Sequence, residues 1–206
     1  MHMDKGHYVF PLWFRSTLSI FCLIFIVVYW NERGPVNFLW FTDIAFFLIV
    51  IASWLSSPYL VGMAAVSAFL FEIVWNLDFF SKFIFDYHLF GVGATAYMFG
   101  VETPLIIKTL SFVLHVSLPV LMVYMLNKLG FHRHAWKAQV LVLFMLLPFC
   151  YLFTDPQRNI NWVFGFNSIQ TDMPGWIYLL LQMVLIPVVV YLPTHLFLSR
   201  IFGQSR

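Results

Sequence analysis

Residues 105–127 read LIIKTLSFVLHVSLPVLMVYMLN, and this stretch decides the fold class. A helix crosses the hydrocarbon core of a bilayer with roughly 20 predominantly apolar residues, and the stretch has that length. Its side chains do not alternate with period two, so it is no barrel strand. Lys108, Ser111, His115 and Pro119 stand at i, i+3, i+7 and i+11, which gathers them on one stripe of a helix. Five more stretches share the apolar character, at about 10–30, 38–55, 59–80, 136–153 and 175–199. Turn residues separate them, Asn31-Glu32-Arg33-Gly34-Pro35 after the first and Ser56-Ser57-Pro58 after the second. Pro187 and Pro193 mark kink sites in the last. The expectation is an all-α, polytopic transmembrane helical bundle of six spans, forming a single domain over residues 1–206.

Composition agrees. Of 206 residues, 62% are hydrophobic, 20% aromatic and only 10% charged, and the mean hydropathy is +0.86. A soluble domain is about a quarter charged, and a chain this short cannot hide so much apolar surface in a water-soluble core. An ordinary soluble enzyme and a disordered chain are therefore excluded. A net charge of +2 supplies no basic stripe, which excludes a nucleic-acid binder, and two cysteines make no disulfide framework. The first span follows Lys5 but is too long for the apolar region of a signal peptide, so it reads as a retained anchor.

Six spans put both termini on one side. With the termini in the cytoplasm, that side holds Lys5, Arg15, Lys128, Arg133, Lys137, Arg200 and Arg206. The other holds Arg33, Lys82, Lys108 and Arg158, diluted by Glu32, Asp86, Glu102, Asp155 and Asp172. The positive-inside bias thus favours cytoplasmic N and C termini, and the expected location is a bacterial inner membrane. His132-Arg133-His134 reads as a solvated cluster facing anionic headgroups. The outer connections Ser81–Pro104 and Thr154–Pro174 each exceed twenty residues, and long loops are often functional. The first carries Phe83, Ile84, Phe85, Leu89 and Phe90, which suggests a short interfacial helix, with a flexible break at Gly91-Val92-Gly93-Ala94. No phosphate-loop pattern is present.

Ionisable groups inside spans are costly and mark functional sites by default. Asp43 lies about 5 residues into the second span, hence roughly 7 Å below its outer boundary. Glu72, Asn76 and Asp78 fall in the outer third of the third span, and His115 lies roughly 15 Å deep in the fourth. All five belong to the outer half, whereas the inner half offers only Gln182 and His195. Glu72 and Asn76 share one helix face, with Trp75 beside them, and Ser111 lies one turn from His115.

Three chemistries could use these groups. A hydroxyl nucleophile needs a base and a carboxylate to orient it. Thr42 or Ser111, His115, and Asp43 or Glu72 supply those types, and Asn76, Asp78, Trp75, Arg158, Asn159 and Asn161 are candidates for holding a ligand. No cofactor is called for. A divalent metal on His115, Glu72 and Asp43 with His88 or Asp78 stays open, although no HExxH or HxxxH pair exists. A transporter would need polar residues through to the inner face, which the apolar inner half disfavours. Against all three stands the reading that such hydrogen bonds merely join helices, at about 0.6–2 kcal/mol each.

The six-helix layout, Thr42-Asp43 after Phe38-Leu39-Trp40, and His115 followed by Pro119 resemble the androgen-induced protein family. The resemblance implies an intramembrane hydrolase of fatty-acid esters of hydroxy fatty acids that uses one Thr and one His. His115 would be that His and Thr42 the Thr. The chain departs from the family in that the family's Thr aligns nearer Trp40, and its His stands one residue further from the Pro. Taken whole, the pattern looks more like an uncharacterised bacterial six-helix integral membrane protein family. The expected function is a lipid or acyl-ester hydrolase or transferase acting from a polar pocket in the outer half of the bilayer. The alternative is a non-catalytic lipid-, metal- or partner-binding accessory subunit. The expected partners are membrane lipid and a second copy or another membrane protein.

Overall fold

The computed structural model describes residues 8–89 and 93–203. Lys5, Phe90, Gly91, Val92 and Arg206, which entered the readings of charge and loops, lie outside the described residues. The main elements are α1 (Leu12–Arg33), α2 (Phe41–Leu55), α3 (Pro58–Phe85), α4 (Ala96–Phe99), α5 (Leu105–Leu129), α6 (Ala135–Phe153), α7 (Gly175–Leu185) and α8 (Leu192–Phe202). No strand occurs among the described residues. Five rods are long and apolar enough to cross a membrane: α1, α3, α5, α6 and the continuous run Gly175–Phe202, whereas α2 is apolar but shorter. By length and composition these are the helices of an integral membrane protein.

The helix ends follow local chemistry. Gly34, at φ +76°, ends α1, and Pro35 opens a 3-10 turn (Pro35–Leu39) that leads into α2. Only Ser56 and Ser57 separate α2 from α3, so the two must lie antiparallel. Ser57 caps α3 by accepting from Leu60 N–H, and Pro58 takes the first helical position, where its missing N–H costs nothing. Contrary to expectation, α3 runs on to Phe85, because no glycine or proline falls between Phe80 and Asp86, which turns left-handed at φ +55°. The short helix of this connection is instead α4. Between α7 and α8 the chain makes a π-helical turn (Ile186–Tyr191), in which Leu192 N–H reaches back to the Pro187 carbonyl. Pro187 lies inside this turn and Pro193 just beyond it, the two sites where a kink was expected.

The centre of the bundle is α3. From Val61 to Ala68 every residue is buried, and a helix apolar on all faces belongs inside. In its most apolar window 56% of α3 is buried, against 11% for the Gly175–Phe202 rod, which therefore lies at the periphery. Gly62 lets α6 approach: a Cβ there would stand 2.7 Å from Ala135 Cβ. One end of the bundle gathers both described termini around the turn after α5. Tyr8 Oη lies 3.5 Å from Tyr124 Oη, and Phe131 N–H donates to the Gly203 carbonyl at 3.1 Å. At the far end, Arg158 donates to the carbonyl of Arg33 and Asn161 donates to that of Leu39.

Candidate functional site

Three helices meet on one buried carboxylate. Glu72 of α3 is 0% exposed. Thr42, in the first turn of α2, donates its hydroxyl to Glu72 Oε1 at 2.7 Å. His115 of α5 places Nδ1 2.8 Å from Oε2. Asn76, one turn beyond Glu72, donates from Nδ2 to the carbonyls of His115 and Glu72, both at 2.8 Å. Trp75 lies flat on the imidazole, with centroids 4.1 Å apart and planes 10° apart. With Glu72 ionised the carboxylate only accepts, so Nδ1 is the donor, and a neutral ring then leaves its lone pair on Nε2. Among the described residues Nε2 meets no hydrogen-bond partner.

The order of groups differs from a nucleophile relay. There the imidazole stands between hydroxyl and carboxylate; here the carboxylate stands between Thr42 and His115. Ser111 is also engaged elsewhere. Its Oγ lies 2.7 Å from Tyr29 Oη, and Tyr97 of α4 donates to it at 3.0 Å. Burial pushes the Tyr97 phenol well above its ordinary pKa, so it stays a donor. Asp43, 5% exposed, accepts from Asn37 Nδ2 at 3.1 Å rather than from His115. It sits in the first turn of α2.

Asp78 works as a latch. Its Oδ2 accepts from Thr95 Oγ1 at 2.6 Å and from Thr95 N–H at 3.1 Å, with His88 Nδ1 at 3.0 Å. This holds the connection bearing α4 down on α3, so that Tyr97 reaches Ser111. Oδ1 of Asp78 is buried with no partner among the described residues.

Arg158, Asn159 and Asn161 hold the far-end loop rather than the Glu72 cluster. Arg158 reaches the Arg33 carbonyl and Asn37 Oδ1. Asn159 and Asn161 adopt left-handed φ values of 42° and 52°, which Asn tolerates better than most residues. Asn159 bonds Gly165 O and Phe164 N–H, and Asn161 bonds Phe41 N–H and Leu39 O across to the start of α2. Asn37 joins the two regions, since it accepts from Arg158 and donates to Asp43.

Sequence reasoning missed Asn37, Tyr29, Thr95 and Tyr97, none of which is ionised at neutral pH or lies deep in an apolar run. It named His195 but missed two buried polar residues toward the same end, Gln139 and Tyr191. Gln139 and Tyr191 are 1% and 0% exposed, and both amide atoms of Gln139, the Tyr191 hydroxyl and His195 Nδ1 are buried without hydrogen-bond partners among the described residues. The His195 ring lies against Trp136 and Phe131. The four-residue step from Tyr191 to His195, and the three-residue step from Trp136 to Gln139, were the available signals.

Among the described residues no three His, Cys, Asp or Glu side chains converge as metal ligands. Glu72 with His115 is one pair, and Asp78 with His88 is another. No protein-family model, curated protein or solved structure matches this chain.

Proposed function

We propose that this chain is a membrane-embedded hydrolase or transferase of acyl-lipid esters, with His115 as general base and Glu72 as the group that orients it. The observation that carries the reading is the 2.8 Å bond from Glu72 to His115 Nδ1, with Nε2 left free of partners among the described residues. A base oriented in this way can take a proton from water or from an acceptor alcohol. The deprotonated oxygen bonds to the acyl carbon, the ester C–O bond breaks, and the proton passes from Nε2 to the departing alkoxide. No side-chain nucleophile is needed, in keeping with the engagement of Thr42 by Glu72 and of Ser111 by two tyrosines. The chemistry class is the one that the resemblance to the androgen-induced hydrolases implies, shared through His115 and not through Thr42.

The same proposal includes six spans, cytoplasmic termini and a bacterial inner membrane. The sixth crossing falls to α2, whose 15 residues span about 22 Å. This is shorter than a hydrocarbon core of about 30 Å, and the 3-10 turn of five residues ahead of it supplies the rest of the connection.

A second reading, a non-catalytic binding subunit, draws support from Asn76, which ties the backbones of α3 and α5 together beside a Glu72 already satisfied on both oxygens. His115→Asn separates the two. The Asn amide reaches the position of Nδ1 and can still donate to Glu72, but it has nothing at the position of Nε2. With vesicles of phosphatidylethanolamine and phosphatidylglycerol, the native chain should release fatty acid or transfer an acyl chain. His115→Asn should lose this at least a hundredfold, the scale of general-base catalysis, while melting close to the native protein. No turnover by the native chain would leave the binding reading in possession.

A further inference from the structure

The cluster around Glu72 connects to the far-end surface through a column of rings. Phe83, Phe79 and Trp75 follow one another at four-residue steps along one face of α3. Their planes are nearly parallel: Phe83 to Phe79 is 6.1 Å at 6°, and Phe79 to Trp75 is 5.3 Å at 3°. His115 ends the column on Trp75. Beside it runs a groove of about 330 Å³ between α3, α4 and α5, walled by Phe79, Phe83, Phe99 and Phe112 and carrying Lys108 in its lining. Lys108 makes no hydrogen bond or ion pair among the described residues. Lys82, by contrast, is bound to Asp86 at 2.6 Å. The nearby hydroxyl of Thr109 is also taken, by the Leu105 carbonyl.

An unpaired ammonium above aromatic walls selects an amphiphile with an anionic head. We infer that the groove binds an anionic glycerophospholipid, with its phosphate on Lys108 and an acyl chain along Phe79, Phe99 and Phe112. This rests on the acyl-lipid reading above and names its substrate class. The register supports it. Lys108 and His115 are seven residues apart on one stripe of α5, about 10 Å along the axis. In a glycerophospholipid the ester bonds lie a few covalent bonds inward of the phosphate, so a phosphate on Lys108 directs them toward His115. A zwitterionic lipid brings its own ammonium to the same phosphate and so competes with Lys108 for it.

The test uses the full chain in detergent, with phosphatidylglycerol and phosphatidylcholine of identical acyl chains, and retained lipid measured by native mass spectrometry. Phosphatidylglycerol should be retained at least tenfold over phosphatidylcholine. Lys108→Gln should abolish that preference, Lys108→Arg should keep it, and Lys82→Gln should leave it unchanged. His115→Asn should bind phosphatidylglycerol like the native chain. Equal retention of the two lipids, or native-like selectivity in Lys108→Gln, overturns the inference and makes the groove an ordinary lipid-facing surface. Selective binding without any fatty-acid release or acyl transfer keeps the inference and defeats the hydrolase or transferase reading instead.

Discussion

Thr42 donates a hydrogen bond to a carboxyl group whose other oxygen already pairs with His115, so its first role is to satisfy a buried acceptor. Replacing it by valine leaves Oε1 of Glu72 without a partner at a site from which water is excluded. Stranding a buried acceptor costs about 1–3 kcal/mol, so Thr42→Val should lower the melting temperature in detergent, whereas Thr42→Ser should melt like the native chain. If serine fails as badly as valine, the methyl group and not the hydrogen bond is what matters there. The individual groups of this node were legible in the sequence, because Glu72, Asn76 and His115 stand out among apolar neighbours. Their partnerships were not. Which oxygen of Glu72 meets Thr42, and that Ser111 turns to Tyr29 and Tyr97, depend on how α2, α4 and α5 meet around α3. No spacing within one helix encodes that crossing.

At the scale of elements, α3 carries the architecture, and small side chains are what allow it. A Cβ at Gly62 would stand 2.7 Å from Ala135 Cβ and 3.4 Å from the Phe131 ring, so the start of α6 would have to move. Overpacking of this kind costs about 1–3 kcal/mol, and Gly62→Ala should destabilise the bundle accordingly in denaturation followed by intrinsic fluorescence. Gly100→Ala is the matched control, since a Cβ there meets only carbonyl oxygens at 3.7 and 3.8 Å. Unchanged stability of Gly62→Ala would mean that α3 and α6 are less tightly joined than their geometry implies. Helix starts were largely readable, because Pro35, Pro58 and Pro104 announce them. The ends were less so: the far end of α3 is set by Asp86 in a left-handed conformation, which few sequence signals foretell. Likewise Pro187 and Pro193 marked a distortion, but not that it would be a π-helical turn.

Across the whole molecule the polar groups are less one-sided than the ionisable residues alone suggest, since Gln139 and Tyr191 are buried, and His195 half-buried, toward the termini end. The asymmetry that survives is one of satisfaction. Glu72 has partners on both oxygens at the centre of three helices, whereas Gln139, Tyr191 and His195 leave several buried atoms without a partner among the described residues. Charge is distributed by end as well. The termini end bears Arg15, Lys128, Arg133, Lys137 and Arg200, and the far end mixes Arg33, Lys82, Lys108 and Arg158 with acids. The proposed orientation, which follows the positive-inside rule, has the far end outside the cell. Single cysteines can check it against low background, because Cys22 and Cys150 are both buried. Glu102→Cys and Asp172→Cys sit on exposed far-end loops, and His134→Cys sits on the exposed turn before α6 without removing an arginine. In intact cells of a bacterial host stripped of their outer membrane, an impermeant maleimide should label positions 102 and 172. Position 134 should react only after permeabilisation. The reverse pattern would invert the bundle and move the groove beside Lys108 to the cytoplasmic leaflet, while labelling of 102 and 134 from the same side would remove a span.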